Sequence, residues 1–141
     1  HKAADALLEQ LKYSIPAYNT LIIATLVNID ELESSSTLGR LVSEQISARF
    51  TQNRYRMVEL KFRNNVYMAQ GQGEMMLTRE IHELANTHAA QAVIVGTYAQ
   101  SSDFVYINLK VIQPNTNTVL AVHDYALPLD DNNRHMLRRA R

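Results

Sequence analysis

Two stretches decide the fold: Leu21-Ile22-Ile23-Ala24-Thr25-Leu26-Val27 and Ala92-Val93-Ile94-Val95-Gly96-Thr97-Tyr98. Each is a continuous run of aliphatic and β-branched residues, too short for a typical helix and without polar alternation. Such a run reads as a strand covered on both faces. Strands of that kind need helices above and below them, which places the chain in the α/β class.

The segments around these runs supply the helices. Ala3, Ala4, Leu7, Leu8 and Leu11 recur at helical spacing, and Ile15-Pro16 ends the pattern because a residue before proline avoids helical dihedrals. After Ser34-Ser35-Ser36-Thr37, any of which can cap a helix, Leu38, Leu41, Val42, Ile46 and Phe50 mark a helix of about four turns. Tyr55 to Leu60 reads as a second strand, with Tyr55, Met57 and Glu59 on one side and Val58 and Leu60 on the other. From Phe62 to Met76 no period holds, and Asn64-Asn65 and Gly71-Gln72-Gly73 read as a long loop. Thr78 can cap a third helix with Ile81, Leu84, Ala85, His88 and Ala89 as its core stripe.

Beyond the second buried run, Phe104 to Ile112 alternates. Val105, Ile107, Leu109 and Val111 take one face, and Phe104, Tyr106, Asn108 and Lys110 the other. Pro114-Asn115-Thr116-Asn117 is turn chemistry, so Val119 to Leu127 returns as the partner of a hairpin. Right-handed crossovers then give a mixed sheet of about five strands ordered 2-1-3-4-5, with a C-terminal antiparallel hairpin and helices on both faces. The expectation is one domain over residues 1–131, followed by a basic C-terminal helix or tail over 132–141.

Composition bounds the function. The chain has 141 residues, of which 46% are hydrophobic and 20% charged, values of an ordinary globular domain. Fourteen basic and fourteen acidic side chains cancel, which argues against an electrostatic grip on nucleic acid. The balance is nevertheless split: residues 1–131 hold 10 basic and 14 acidic side chains, and the end holds Arg134, Arg138, Arg139 and Arg141 with no acid. These arginines are expected to be dispensable for folding and to serve contacts to an acidic neighbour or to headgroups. There is no cysteine, so disulfides, thiolate metal sites and cysteine nucleophiles are excluded. No apolar run approaches the roughly 18 residues of a membrane-spanning helix. The first residues, His-Lys-Ala-Ala-Asp, have no initiator Met, as in a mature or trimmed chain, so a signal peptide or lipid-bearing cysteine would lie upstream.

No catalytic constellation emerges. His82 and His88 are six apart, which turns their side chains about 120° away from each other on a helix and prevents a shared metal. His123 and Asp124 are strand neighbours and face opposite sides. No Gly-x-Ser-x-Gly elbow occurs, and Gly71-Gln72-Gly73 lacks the remaining residues of a phosphate loop. Glu74, Glu80 and Glu83 lie in or near the long loop, where acids at a helix start serve the helix dipole. We therefore expect no catalytic, cofactor-binding or metal-binding residues.

The candidate contact residues are of another kind. Arg49, Arg54, Arg56, Lys61 and Arg63 surround the second strand with Tyr55 and Phe62 among them; this is either a surface for an acidic partner or an edge strand guarded by charge. Phe104 and Tyr106 on the wetter face of the hairpin form a second candidate, suited to a protein partner. Arg134, Arg138 and Arg139 form a third.

Several blocks carry a resemblance. Leu26-Val27-Asn28-Ile29-Asp30-Glu31-Leu32, Leu38-Gly39-Arg40-Leu41-Val42-Ser43-Glu44-Gln45-Ile46, Met57-Val58-Glu59-Leu60-Lys61 and Gly73-Glu74-Met75-Met76-Leu77-Thr78-Arg79-Glu80 resemble the FlgO family of outer-membrane-associated flagellar proteins. So do Ala92 to Tyr98 and Val105-Tyr106-Ile107-Asn108, and the likeness runs from about residue 5 to 130. A more distant similarity joins the amino-terminal domain of TolB and the periplasmic domains of curli-secretion and penicillin-binding-protein activator lipoproteins. The resemblance implies a lipoprotein or exported protein at the periplasmic side of the outer membrane or the cell surface. It would support flagellar assembly, stability and motility beside FlgP and FlgT. A second expectation, related to the first, is homo-oligomerisation through an edge strand or the Phe104 and Tyr106 face. It implies no enzyme and no cofactor. The alternatives are a lipoprotein module that activates a cell-wall synthase or assists fibre secretion and, more remotely, a small hydrolase using Glu74, Glu80 or His82.

Overall fold

The computed structural model describes residues 2–28, 37–60, 83–130 and Met136. Helix α1 (Lys2–Leu11) leads into strand β1 (Thr20–Ala24) and the two-residue strand β2 (Val27–Asn28). Helix α2 (Thr37–Gln52) and strand β3 (Arg56–Leu60) follow, and residues 83–88 form a third helix, α3. The chain finishes with β4 (Ala92–Gln100), β5 (Phe104–Ile112) and β6 (Val119–Pro128).

These strands form one mixed sheet in the order β3-β1-β4-β5-β6. β1 runs parallel to β3 and β4, while β4, β5 and β6 are successively antiparallel. The order is the 2-1-3-4-5 expected from the crossovers, with one refinement. The first buried run is a broken strand: Thr25 and Leu26 leave the ladder, and Val27 and Asn28 rejoin it against Thr97 and Tyr98. At the break, Thr25 N–H donates to Leu60 C=O and Leu26 N–H donates to Ser43 Oγ, so both displaced donors are satisfied.

The two sides of the sheet have separate cores. On one side α1 and α2 pack over Leu21, Ile23, Ile94, Val105, Ile107, Leu109 and Val111, all buried with Leu7, Leu11, Ile46 and Phe50. On the other side Ile22 and Val93 meet Leu84 and Ala85 of α3, together with Val58 and Leu60. The period-two pattern of the strands therefore sorts alternate residues to different helices.

Small residues set the seat of α2. A methyl added at Gly39 would stand 2.7 Å from Leu26 C=O, and buried Ser43 bridges Leu26 N–H and Gly39 C=O. The helix thus turns Gly39, Ser43 and Ser47 inward with Leu38, Val42, Ile46 and Phe50, and Leu41 from the expected stripe is exposed. The stripe of the third helix also ends early. Leu84 and Ala85 face the sheet, but His88 and Ala89 are exposed, because Ala89 takes a left-handed conformation (φ 51°) that terminates the helix. His88 is therefore not a core residue.

Candidate functional site: the open sheet face and its edge

α3 covers only part of its side of the sheet. Over β5 and β6 the same face shows Phe104, Tyr106, Asn108 and Lys110, opposite Pro128, Ala126, Asp124 and Val122 in the ladder. Phe104 is 42% exposed and Tyr106 53%, with ring centroids 6.3 Å apart. Beside them a shallow groove of about 440 Å³ is lined by Thr97, Ala99, Tyr106, Asn108, Asp124 and Ala126. Its floor is apolar, and its one polar cross-link is Asn108 Nδ2–H donating to the Asp124 carboxylate. A shallow apolar floor beside exposed aromatic rings suits a protein surface better than a small molecule, which requires a concave pocket.

The sequence picked Phe104 and Tyr106 by alternation alone, and they do share this face. It missed Thr97, Asp124 and Ala126, whose placement depends on strand order and hairpin register. The bulge between Val111 and Ile112 shifts that register by one residue. His123 and Asp124 lie on opposite faces as expected: His123 stacks on Tyr125 at 5.8 Å on the helix-covered side. Burial raises the hydroxyl pKa of Tyr125 above its ordinary value, as it does for Tyr55, which donates to Ile15 C=O at 2.5 Å.

Arg54 and Arg56 stand elsewhere, exposed at the start of the opposite edge strand, β3. That edge position agrees with their reading as charges guarding unpaired backbone. Arg54 has a left-handed backbone (φ 72°), and its C=O accepts from the N–H of Tyr18, itself at φ 73°. Two strands, β1 and β4, and the length of the sheet separate these arginines from Phe104, so the candidates do not form one site. Arg63, Arg134, Arg138 and Arg139 lie outside the described residues, as do Glu74, Glu80 and His82. Glu83 is exposed, and no group of three or more metal-ligating side chains occurs among the described residues. No described helix is long and apolar enough to cross a membrane.

The remaining edge belongs to β6. There the Gln10 side chain reaches from α1 and bonds both backbone groups of Val122, donating to its C=O at 2.9 Å and accepting from its N–H at 3.1 Å.

The described residues thus form a sheet layered between helices, with one face half open over β5 and β6. Solved structures share that fold. The LpoB C-terminal domain from Salmonella enterica superposes with a TM-score of 0.60 at 12% identity, covering 89% of this chain and 94% of that one. The equivalent Escherichia coli domain gives 0.57 at 10% identity over 90% and 98%. PelC from Paraburkholderia phytofirmans, a dodecamer, gives 0.50 at 12% identity over 82% and 77%. No curated protein matches by sequence. The family model described as FlgO protein matches residues 1–132, and the chain belongs to the FlgO family.

Proposed function

We propose that the protein is a non-catalytic structural and assembly component of the bacterial flagellum. In this reading it sits at the periplasmic side of the outer membrane or the cell surface and sustains flagellar stability and motility through protein contacts. The observation that carries the reading is the family match over residues 1–132. The open face around Phe104 and Tyr106 supplies the contact surface, with the flagellar proteins FlgP and FlgT as partners and self-association as a further contact. Attachment to the membrane is through an N-terminal lipid outside this segment.

A deletion strain tests the role directly: it should swim poorly and carry unstable flagella, and normal flagella with normal swimming would overturn the proposal. Complementation with Phe104→Asp and Tyr106→Asp together should fail to restore motility although the purified chain keeps its circular dichroism spectrum.

The fold likeness to the LpoB C-terminal domain over 89% of the chain favours a second reading, a lipoprotein module that activates a cell-wall synthase or assists fibre secretion. Affinity capture separates the two. Recovery of a synthase in place of flagellar components would favour the second.

A further inference from the structure

The outer edge of β6 is closed at both ends and open in the middle. In an antiparallel pair, residues alternate between those whose N–H and C=O face the neighbouring strand and those whose groups face away. Val122 is of the second kind, since Gln10 takes both of its groups from outside the ladder. By the two-residue period, Asp124, Ala126 and Pro128 also face outward. Pro128 has no N–H, and its C=O accepts from Asp130 N–H at 3.1 Å. Asp124 and Ala126 remain, with two donors and two acceptors to which no described residue outside the sheet bonds.

We infer that this edge pairs antiparallel with the same edge of a second copy, about a two-fold axis at Tyr125 that sets Asp124 opposite Ala126 of the second copy. An isologous contact requires a self-complementary surface, and only this register provides one. Centred on Asp124, the pairing would oppose two carboxylates and set Ala126 against Val122, whose backbone Gln10 already occupies. Centred on Ala126, it would set Asp124 against Pro128, which has no hydrogen to donate. Centred on Tyr125, both open positions pair with each other through four backbone hydrogen bonds. The Gln10 amide holds the place beside Val122 where the second copy's strand would continue, so the pairing ends at Asp124 and Ala126 and the two strands diverge beyond it, where Pro128 has no hydrogen to donate. The Asp124 carboxylate is turned onto Asn108 of its own chain, so it does not obstruct the approach. The β3 edge instead carries exposed Arg54 and Arg56, charges that discourage edge-to-edge pairing.

The inference deepens the self-association reading and is independent of the flagellar one, since it is tested on the purified chain. Light scattering at rising concentration should reach twice the 16.0 kDa chain mass, and Ala126→Pro should hold the particle at 16.0 kDa. Proline is tolerated here because the N–H it removes faces outward. The absence of native cysteine makes cross-linking decisive even if the proline variant folds poorly. Hydrogen-bonded antiparallel pairs hold Cα atoms about 5.5 Å apart, within disulfide range. Under mild oxidation, a mixture of Asp124→Cys and Ala126→Cys chains should therefore form several-fold more covalent dimer than either variant alone. A native chain that stays at 16.0 kDa at every concentration, or a mixture that cross-links no better than its components, would overturn the inference.

Discussion

Gln10 and Val122 are 112 positions apart in the chain, yet the amide of one makes both hydrogen bonds that a neighbouring strand would make with the other. A side chain thereby closes one position of an exposed sheet edge, a device alongside the charges and prolines that usually guard such edges. Replacing Gln10 with Ala should lower stability by about 1 kcal/mol, the net worth of a typical hydrogen bond, because water can reach the exposed backbone. Thermal unfolding followed by circular dichroism reads this as a fall in Tm of roughly 2 to 8 °C. An unchanged Tm would show that the bonds add nothing.

Gly39→Ala should destabilise the protein, against the ordinary trend for helices. Alanine is the better helix former by about 1 kcal/mol. Here its methyl would stand 2.7 Å from the backbone oxygen of Leu26, which cannot rotate away. Overpacking of this kind costs about 1 to 3 kcal/mol, so the expected net change is a loss. Urea denaturation gives the sign.

Arg54→Gly should raise stability by about 1 kcal/mol, since a left-handed backbone penalises any side chain by that order. The same variant tests the basic edge as a contact surface. Improved stability with unchanged motility would assign Arg54 to edge protection alone, whereas improved stability with lost motility would assign it to a partner.

Buried Tyr55 and half-buried Tyr125 make stability fall in alkali. Burial raises the hydroxyl pKa of Tyr55 and Tyr125 in the folded state, so between the unfolded value near 10 and the higher folded value the unfolded chain loses its protons first. Their contribution is complete below pH of about 10 and is lost as pH rises through the folded pKa. Tyr55→Phe should weaken this alkaline decline and, by removing the bond to Ile15, cost about 1 kcal/mol at neutral pH. A pH series of urea midpoints for both proteins checks each part.

At the C-terminus, Met136 and the arginines should separate. Met136 packs against the main core, and its replacement by Ala should cost about 1 kcal/mol of lost apolar burial. Converting Arg134, Arg138, Arg139 and Arg141 together to Gln should leave Tm within about 1 °C if these charges take no part in the core. Differential scanning calorimetry of the two variants decides.

What could be read from the residues divides along local and non-local lines. The buried runs at Leu21 and Ala92 and the alternation at Phe104 are local, and with the handedness of crossovers they suffice for the strand order. His88 was misplaced because a helical stripe carries no mark of where Ala89 turns left-handed. Leu41 was misplaced because inward-facing Gly39, Ser43 and Ser47 are invisible to a hydrophobic pattern. Of the open sheet face, Phe104 and Tyr106 are legible, but Asp124 and Ala126 join them only through the hairpin register. Gln10 gave no signal, since on a helix it reads as one more polar residue.

The clasp between α1 and β6 also bears on how the chain reaches its fold. Helix α1 packs on α2 and also against the last strand of the sheet, so its seat is complete only when a loop spanning 112 positions has closed. Such late, distant pairing slows folding, because loop entropy is lost before the contacts reward it. A chain still being synthesised holds its first helix without the strand it covers, so completion of the native core waits for the final quarter of the sequence.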